Sequence, residues 1–294
     1  MTPIYNIKIP KSNIDVWAKL ESKNPTGSHK DRSMEHWISH YAKQGARDLA
    51  ISSSGNSAIS AAKYCGEKNI KLHIFVSHNT PKEKFESLIA YKNISLNITK
   101  TPNKDAFRFC AERGIQNLRA SRDDIALEGY KDITLELIKQ LPQIDNIFIP
   151  TSSGATLQGI YEAHAGGSTP RIKTPAIFAV QTAKVHPVAG YFDKDFLTEE
   201  ISRATAIVDK VAHRRDQLIE TIKQTGGGGF VISNKGLEEA KKALKDDAGL
   251  ASLAGYSRAE LGWHSALAFA GFLKWRAQNP ARASKEISVC LFTD

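Results

Sequence analysis

Short apolar runs alternate along this chain with longer stretches in which apolar residues recur every three or four positions. Short runs rich in β-branched residues are typical of buried strands, and the longer period is typical of helices that pack on one face. The pattern predicts strands at 48–52, 71–77, 95–99, 116–120, 146–150, 176–181, 230–233 and 286–292. It predicts helices at 29–43, 58–68, 82–92, 104–114, 124–141, 156–164, 214–224, 236–245 and 259–278. This alternation indicates an α/β fold with open, mostly parallel twisted sheets and flanking helices.

The first long helix follows a segment that interrupts regular structure. Pro25 and Gly27 favour a turn, and Ser28 is a good N-cap for a helix that begins at about His29. Lys30 then lies close to the positive end of a helix. Positive potential and partial burial favour the neutral amine, which can attack an aldehyde. A solvated surface lysine is the alternative if Lys30 stands alone.

Two strand-to-helix junctions consist of small residues. Ile51-Ser-Ser-Ser-Gly-Asn-Ser-Ala58 follows one predicted strand, and Phe148-Ile-Pro-Thr-Ser-Ser-Gly-Ala-Thr156 follows another. Small residues let backbone amides approach an anion, and the helix start adds its positive dipole. The first junction is a candidate for a carboxylate and the second for a phosphate. Serine-rich helix caps without a ligand are the alternative for each of them.

The glycine run Gly226-Gly-Gly-Gly229 has a different sequence context. It follows the end of a predicted helix and precedes the short predicted strand at 230–233. Glycine is typical of helix ends and of mobile connections. We interpret the run as a flexible connector.

The segment Lys19-Leu-Glu-Ser-Lys-Asn-Pro-Thr-Gly-Ser-His-Lys-Asp-Arg32 and both junctions resemble the pyridoxal-phosphate enzymes of the tryptophan-synthase β fold, known as fold type II. The closest resemblance is to threonine synthase and its relatives, and it covers nearly the whole chain. It implies that Lys30 forms the Schiff base with pyridoxal 5′-phosphate. Asn56 would bond the 3′-oxygen of the cofactor. The residues expected at the substrate carboxylate are Ser54, Gly55 and Ser57.

The resemblance also assigns the other end of the cofactor. Thr293, at the end of Cys290-Leu-Phe-Thr-Asp294, would contact the pyridine nitrogen. A neutral hydroxyl leaves that nitrogen largely unprotonated, which favours elimination or replacement over transamination. Lys30 would then act as the base at the α-proton. The residues expected around the phosphate are Ser152, Ser153, Gly154, Ala155 and Thr156.

The resemblance implies two domains. Residues 1–42 and 140–294 would form the large cofactor-binding domain, and residues 43–139 the small mobile one. Glu128-Gly-Tyr-Lys-Asp-Ile-Thr-Leu-Glu136 resembles the family helix that leads out of the small domain. We expect a homodimer that acts on a small amino acid with a phosphorylated or hydroxyl side chain.

The reaction implied first is conversion of O-phosphohomoserine to threonine. A serine/threonine dehydratase or an O-phosphoserine β-replacement enzyme is the alternative of the same class. A homologue that binds the cofactor or an amino acid without turnover is the alternative of another class. Three departures from the family pattern favour that last alternative: Ser152 and Ala155 stand at glycine positions, Thr156 stands where asparagine is usual, and Trp263-His264 replaces a glutamate and proline. His29 stands where phenylalanine is common, either for packing or as a proton donor.

Composition limits the other function classes. The chain has 294 residues, 41% of them hydrophobic, and a net charge of +9. That charge suits an anionic ligand, but basic and acidic residues are interspersed, so a nucleic-acid partner ranks last. We see no targeting signal and no apolar stretch long enough to cross a bilayer. We therefore expect a cytoplasmic protein without a membrane partner.

Cysteines, histidines and aromatic residues suggest no further chemistry. Three isolated cysteines are expected in the core rather than in disulfides or a zinc site. His36 and His40 lie one helical turn apart but lack a third ligand, so no metal site is expected. Four aromatic residues at near-helical spacing are expected in the core or at a dimer face. The cysteines are Cys65, Cys110 and Cys290, and the aromatic residues are Trp263, Phe269, Phe272 and Trp275.

Overall fold

The computed structural model describes residues 1–9, 14–166, 173–247, 249–250 and 261–293. The chain divides into two compact units. The larger unit contains Met1–Lys23 and Lys131–Asp294, and the smaller unit contains Asn24–Tyr130. Within the described residues, no helix is long and apolar enough to span a membrane. The same residues contain no group of three or more side chains arranged to hold a metal ion.

Each unit is built on one sheet. The strands are β1 (Ile4–Asn6), β2 (Val16–Leu20), β3 (Asp48–Ser52), β4 (Lys71–Ser77), β5 (Ile94–Thr99), β6 (Gln116–Asn117), β7 (Asn146–Pro150), β8 (Ala176–Thr182), β9 (Gly228–Ile232) and β10 (Ser288–Phe292). In the larger unit their order is β1-β2-β10-β7-β8-β9, and only the β1–β2 pair is antiparallel. In the smaller unit the order is β5-β4-β3-β6, with every pair parallel. The expectation of mostly parallel sheets in an α/β fold is confirmed.

Helices connect the strands. They are α1 (Lys30–Lys43), α2 (Asn56–Glu67), α3 (Lys82–Ile89), α4 (Pro102–Arg113), α5 (Ile125–Gln140), α6 (Ala155–Ala165), α7 (Ala189–Phe192), α8 (Arg215–Gln224), α9 (Asn234–Lys245), α10 (Trp263–Gln278) and α11 (Pro280–Ala283). The start of the predicted helix 259–278 lies outside the described residues. Helix α5 begins in the smaller unit and ends in the larger one.

The predicted domains and the two units differ at both junctions. The prediction assigned α1 to the large domain, whereas the structure places it in the smaller unit. Trp37 and Ile38 of α1 are fully buried in one core with Leu49 of β3 and Ala61 of α2, and this shared burial explains the difference. Which domain binds the cofactor and which one moves stays a prediction.

Aromatic packing forms much of the core of the larger unit. The ring of Phe148 on β7 stacks on Phe178 of β8, with centroids 4.8 Å apart. Phe272 and Trp275 of α10 meet Phe148 edge-on, each with a centroid separation of 5.7 Å. Phe269 is also buried, so the core prediction for these helix residues is confirmed. The fourth predicted core residue, Trp263, is only half-buried; Arg203 and Lys241 lie over its ring.

Two strands of the larger unit were missed by the sequence pattern. Strand β1 has only three residues, and β2 contains a charged residue at an inward position. That residue, Lys19, is fully buried and pairs with Glu136 at 2.6 Å. Its ammonium also donates to the Thr2 carbonyl at 2.8 Å and to Gln140 Oε1 at 2.9 Å. A buried lysine with a fully hydrogen-bonded ammonium group therefore interrupts the apolar run, and for this reason the sequence pattern did not indicate strand β2.

The interpretation of the glycine run as a flexible connector is wrong. Gly226, with φ +69°, does end helix α8 as expected. The next residues approach other backbone closely: a Cβ on Gly227 would lie 1.9 Å from the Ile177 carbonyl oxygen. A Cβ on Gly229 would lie 2.7 Å from Ala189 Cα. Close packing beside and within β9, rather than mobility, requires these glycines.

The cysteines are buried and free, as the sequence predicted. Burial raises the pKa of the Cys65 thiol to about 12 and that of Cys110 to about 11. It also raises the pKa of Cys290 well above its ordinary value. A thiol that stays protonated is a poor nucleophile. The three cysteines therefore act as small core residues.

His164 on α6 makes stability depend on pH. Its burial lowers the pKa from 6.5 to about 4, and its Nδ1 is buried without a partner in the described residues. Between these values the unfolded chain binds a proton that the folded chain does not, so stability falls as the pH drops from 6.5 towards 4. We expect a loss of about 1–2 kcal/mol in urea unfolding, after allowance for partial exposure. His164→Gln should make this slope shallower, because it removes the contribution of the buried imidazole. His78→Gln, at an exposed histidine, is the control and should keep the wild-type slope. Equal slopes for wild type and His164→Gln would contradict the role of His164.

Candidate functional site

Lys30 is the first residue of α1 in the smaller unit. Its side chain is half-buried, and Nζ lies 5.9 Å from the centroid of the Tyr130 ring. The N-cap position of this helix is held by His29 and not, as the sequence had predicted, by Ser28. Ser28 Oγ nevertheless accepts a hydrogen bond from Lys30 N at 3.2 Å. The His29 ring lies 5.8 Å from Tyr130, which supports the packing alternative for this histidine.

Asp31 fixes the turn that precedes Lys30, and sequence reasoning had missed it. The carboxylate is 1% exposed. Oδ2 accepts from Thr26 N at 2.6 Å, and Oδ1 accepts from Thr26 Oγ1 and from Ser60 Oγ, both at 2.6 Å. Since Ser60 lies one turn into α2, these bonds join the start of α1 to the start of α2. An acidic residue directly after Lys30, with hydroxyl residues nearby in sequence, was the signal that could have indicated this.

Replacing Asp31 tests that arrangement. Asp31→Asn turns one acceptor oxygen into a donor that faces donors, so we expect a loss of about 1–3 kcal/mol in the free energy of unfolding. The matched control is Asp105→Asn, because Asp105 also accepts from two threonine hydroxyls, Thr99 and Thr101, but near the surface. Urea unfolding should show a much smaller loss for the control. Equal losses would contradict a special role for the buried carboxylate.

The junction after β3 carries the second group of predicted residues. Gly55 flanks α2 with φ −118° and ψ −155°, and Asn56 is the first helical residue. Asn56 is exposed, whereas Ser54, Gly55 and Ser57 are half-buried. The first turn of α2 has no acidic residue, and its amide groups lack helical partners. The structure thus brings Lys30 and this junction to two neighbouring helix starts within the smaller unit.

The junction after β7 forms a tight turn in the larger unit. Gly154 has φ +82° and flanks α6, which begins at Ala155. A Cβ on Gly154 would lie 2.1 Å from Leu218 Cδ1, so both its backbone and its surroundings require glycine. Ser152 and Ser153 are half-buried, while Gly154, Ala155 and Thr156 are buried. The first turn of α6 also lacks acidic residues, which leaves backbone amides for an anion.

Thr293 lies at the same edge of that sheet. It follows β10, which pairs in parallel with β7 through Cys290 and Phe148. Because the carboxyl ends of parallel neighbours meet at one edge, Thr293 and the turn at 152–156 lie on the same side of the larger unit. Thr293 is 5% exposed. Its hydroxyl can donate or accept a hydrogen bond, which suits a polar ligand atom.

The chemical groups of these residues match the groups of pyridoxal phosphate. The larger unit offers a helix start and serine hydroxyls for a phosphate, and the hydroxyl of the largely buried Thr293 for a ring nitrogen. The smaller unit offers an amine at one helix start and an amide side chain at the next. The cofactor is an aldehyde with a phosphate, a ring nitrogen and a phenolic oxygen, so each of its groups has a counterpart among these residues.

Two known enzymes are similar to this chain at low sequence identity. The chain is 24% identical over 266 residues to threonine synthase of Methanocaldococcus jannaschii, an alignment that covers 85% of this chain and 65% of that protein. It is 26% identical over 245 residues to the catabolic L-threonine dehydratase of Staphylococcus aureus, covering 80% of this chain and 68% of that enzyme. The chain thus spans less than two thirds of the length of the threonine synthase.

Solved structures share the fold at low sequence identity. Threonine deaminase isoform 2 of Solanum lycopersicum superposes with a TM-score of 0.80 at 18% identity, covering 99% of this chain and 78% of that one. Maize serine racemase superposes with a TM-score of 0.77 at 19% identity, covering 99% and 86%. The predicted fold is therefore confirmed.

A family model extends the comparison to the whole chain. The model described as pyridoxal-phosphate dependent enzyme matches residues 1–294. This match confirms both the resemblance seen in the sequence and the predicted cofactor. The chain belongs to the family of pyridoxal-phosphate dependent enzymes.

Proposed function

We propose that this chain catalyses elimination or replacement at the β or γ carbon of an amino acid, in the manner of threonine synthase, with Lys30 as the residue that binds the cofactor covalently. The observation that carries the proposal is the position of Lys30. It is half-buried at a helix start, and Asp31 holds the preceding turn against the helix that bears Asn56. A lysine held in this way is suited to covalent attachment and to proton transfer.

The remaining roles follow from the groups that each residue presents. Asn56 is proposed to bond the phenolic oxygen of the cofactor. The amides and hydroxyls of the turn at 152–156 are proposed to hold its phosphate. Backbone amides at a helix start suit the substrate carboxylate, and the residues proposed there are Ser54, Gly55 and Ser57.

The reaction type depends on Thr293 and Lys30. Bound pyridoxal phosphate supplies an electron sink for bonds at the α carbon of the substrate. Thr293 is neutral and would leave the ring nitrogen without a charge partner, which supports elimination or replacement over transamination. Lys30 is proposed to remove the α-proton.

O-Phosphohomoserine is the first substrate that we propose, with threonine as the product. A serine/threonine dehydratase is the second candidate, favoured by the similarity to the dehydratase of Staphylococcus aureus. A β-replacement enzyme that uses O-phosphoserine remains a third.

We further propose that the enzyme is a cytoplasmic homodimer, and light scattering of the purified protein tests its assembly state.

A substrate screen tests the proposed reaction. Purified protein loaded with pyridoxal phosphate is mixed separately with O-phosphohomoserine, O-phosphoserine, threonine and serine, and phosphate and ammonia are measured. Phosphate release with threonine formation supports the first candidate, and ammonia release from threonine or serine supports the dehydratase. Spectral change without either product would favour a non-catalytic homologue. Lys30→Ala serves as the blank.

A further inference from the structure

The segment at 204–212 is anchored to the larger unit at several points. Ala204 and Ile207 are buried in its core. The backbone amide of Ala206 donates to Nε2 of His264 at 3.0 Å. The next two amides, Val208 N and Asp209 N, both donate to Ser152 Oγ, at 3.2 Å and 3.3 Å. One serine of the turn at 152–156 therefore binds this segment directly.

The outer part of the segment is tightly folded but exposed. Asp209 Oδ1 accepts from the amides of Val211 and Ala212, at 3.2 Å and 3.0 Å. Ala212 has φ +43°, a conformation that a residue with a side chain seldom adopts. The side chains of Val208 and Val211 are 65% and 66% exposed. Lys210 lies between them, so a protease can reach the Lys210–Val211 bond once the segment loosens.

The two bonds to Ser152 determine where its proton points. A serine hydroxyl has two acceptor positions and one proton. Both acceptor positions face the amides of the 204–212 segment, so the proton must point elsewhere. None of the described residues accepts it. Ser152 is therefore an oriented donor next to the free amides of α6.

We propose that Ser152 couples the phosphate of the cofactor to the 204–212 segment. The phosphate would accept a hydrogen bond from the Ser152 hydroxyl. The hydroxyl polarised in this way would then accept stronger hydrogen bonds from the amides of Val208 and Asp209. By linkage, the bound segment raises the affinity for the phosphate by the same factor. This inference rests on the proposed phosphate site, and Thr293, the residue proposed at the ring nitrogen of the cofactor, lies at the same sheet edge.

Limited trypsin digestion of the full chain tests the coupling. The rate of cleavage at Lys210–Val211 is measured with and without pyridoxal phosphate, and separately with inorganic phosphate. We expect saturating ligand to slow this cleavage by about fivefold or more, the lower range of typical couplings. Cleavage at Arg113–Gly114, at the exposed end of α4 in the smaller unit, is the internal control.

Variants separate the coupling from a structural role. Ser152→Ala should still bind the cofactor at high concentration but lose the protection, whereas Ser152→Thr, which keeps the hydroxyl, should retain it. Ser202→Ala is the matched control, because Ser202 Oγ accepts from Ala204 N at 3.2 Å but lies outside the turn at 152–156, and this variant should keep the protection at saturating ligand. Equal protection in Ser152→Ala and wild type, or none in wild type that visibly binds the cofactor, would overturn the coupling alone. Wild type that binds neither ligand would overturn the proposed function together with it.

Discussion

Lys30→Ala should abolish covalent binding of pyridoxal phosphate and reduce turnover of the amino-acid substrate by at least about 10²–10⁴-fold, the usual contribution of a positioned general base. The physical reason is that the Lys30 amine is the group proposed both to bond the cofactor covalently and to remove the α-proton. The purified variant should lack the visible absorption of the bound cofactor. Absorption spectra and the product assays described above measure both effects.

Lys43→Ala is the matched control for this change. Lys43 lies on the same helix but in its last turn, where it is exposed. We expect this variant to keep the absorption band and the activity of the wild type, because it changes the same charge without changing the proposed attachment point. Full colour and turnover in Lys30→Ala would contradict the proposed role of Lys30.

Gly154→Ala should destabilise the protein by about 2–5 kcal/mol, through its left-handed backbone and through overpacking. At φ +82° the new Cβ would lie 2.1 Å from Leu218 Cδ1, so the turn or helix α8 must shift. That shift moves the amides proposed to hold the phosphate. We therefore expect weaker cofactor binding as well as lower stability, measured by titration with pyridoxal phosphate and by urea unfolding.

Gly226→Ala separates the two causes. Gly226 has a similar φ of +69°, but a Cβ there would meet no atom within 4 Å. We expect this variant to lose only the backbone contribution, about 1–2 kcal/mol, and to bind the cofactor normally. If both variants lose equal stability and Gly154→Ala keeps its affinity, the packing of Leu218 against the turn has no role in the site.

Local sequence patterns predict the central strands well because burial there is nearly complete. The strands β3, β4 and β7 have the predicted bounds, and each is an apolar run with turn residues at its ends. Strand β2 was missed since Lys19 looks like a surface residue until its partner Glu136, 117 positions away, is known. The glycine run was misinterpreted for the same reason, because the backbone that it approaches at Ile177 lies in another strand.

Some residues of the candidate site could likewise be predicted from the sequence, and others could not. Lys30 and the turn at 152–156 could be found because each is a short contiguous motif at a strand-to-helix junction. Asp31 and Ser60 are paired only by the packing of α1 on α2, and Ser152 meets Val208 only through the fold of the larger unit. Such pairs depend on distances that no sequence spacing encodes. The substrate also depends on such distant residues, which is why several amino acids remain candidates.

The central claim is that Lys30 holds pyridoxal phosphate. Borohydride reduction of the cofactor-loaded protein, followed by peptide mass spectrometry, tests it most directly because reduction fixes the cofactor to the lysine that it occupies. The account predicts a phosphopyridoxyl group on the peptide that contains Lys30 and on no other lysine. Modification of a different lysine, or recovery of an unmodified Lys30 peptide from visibly coloured protein, would contradict it.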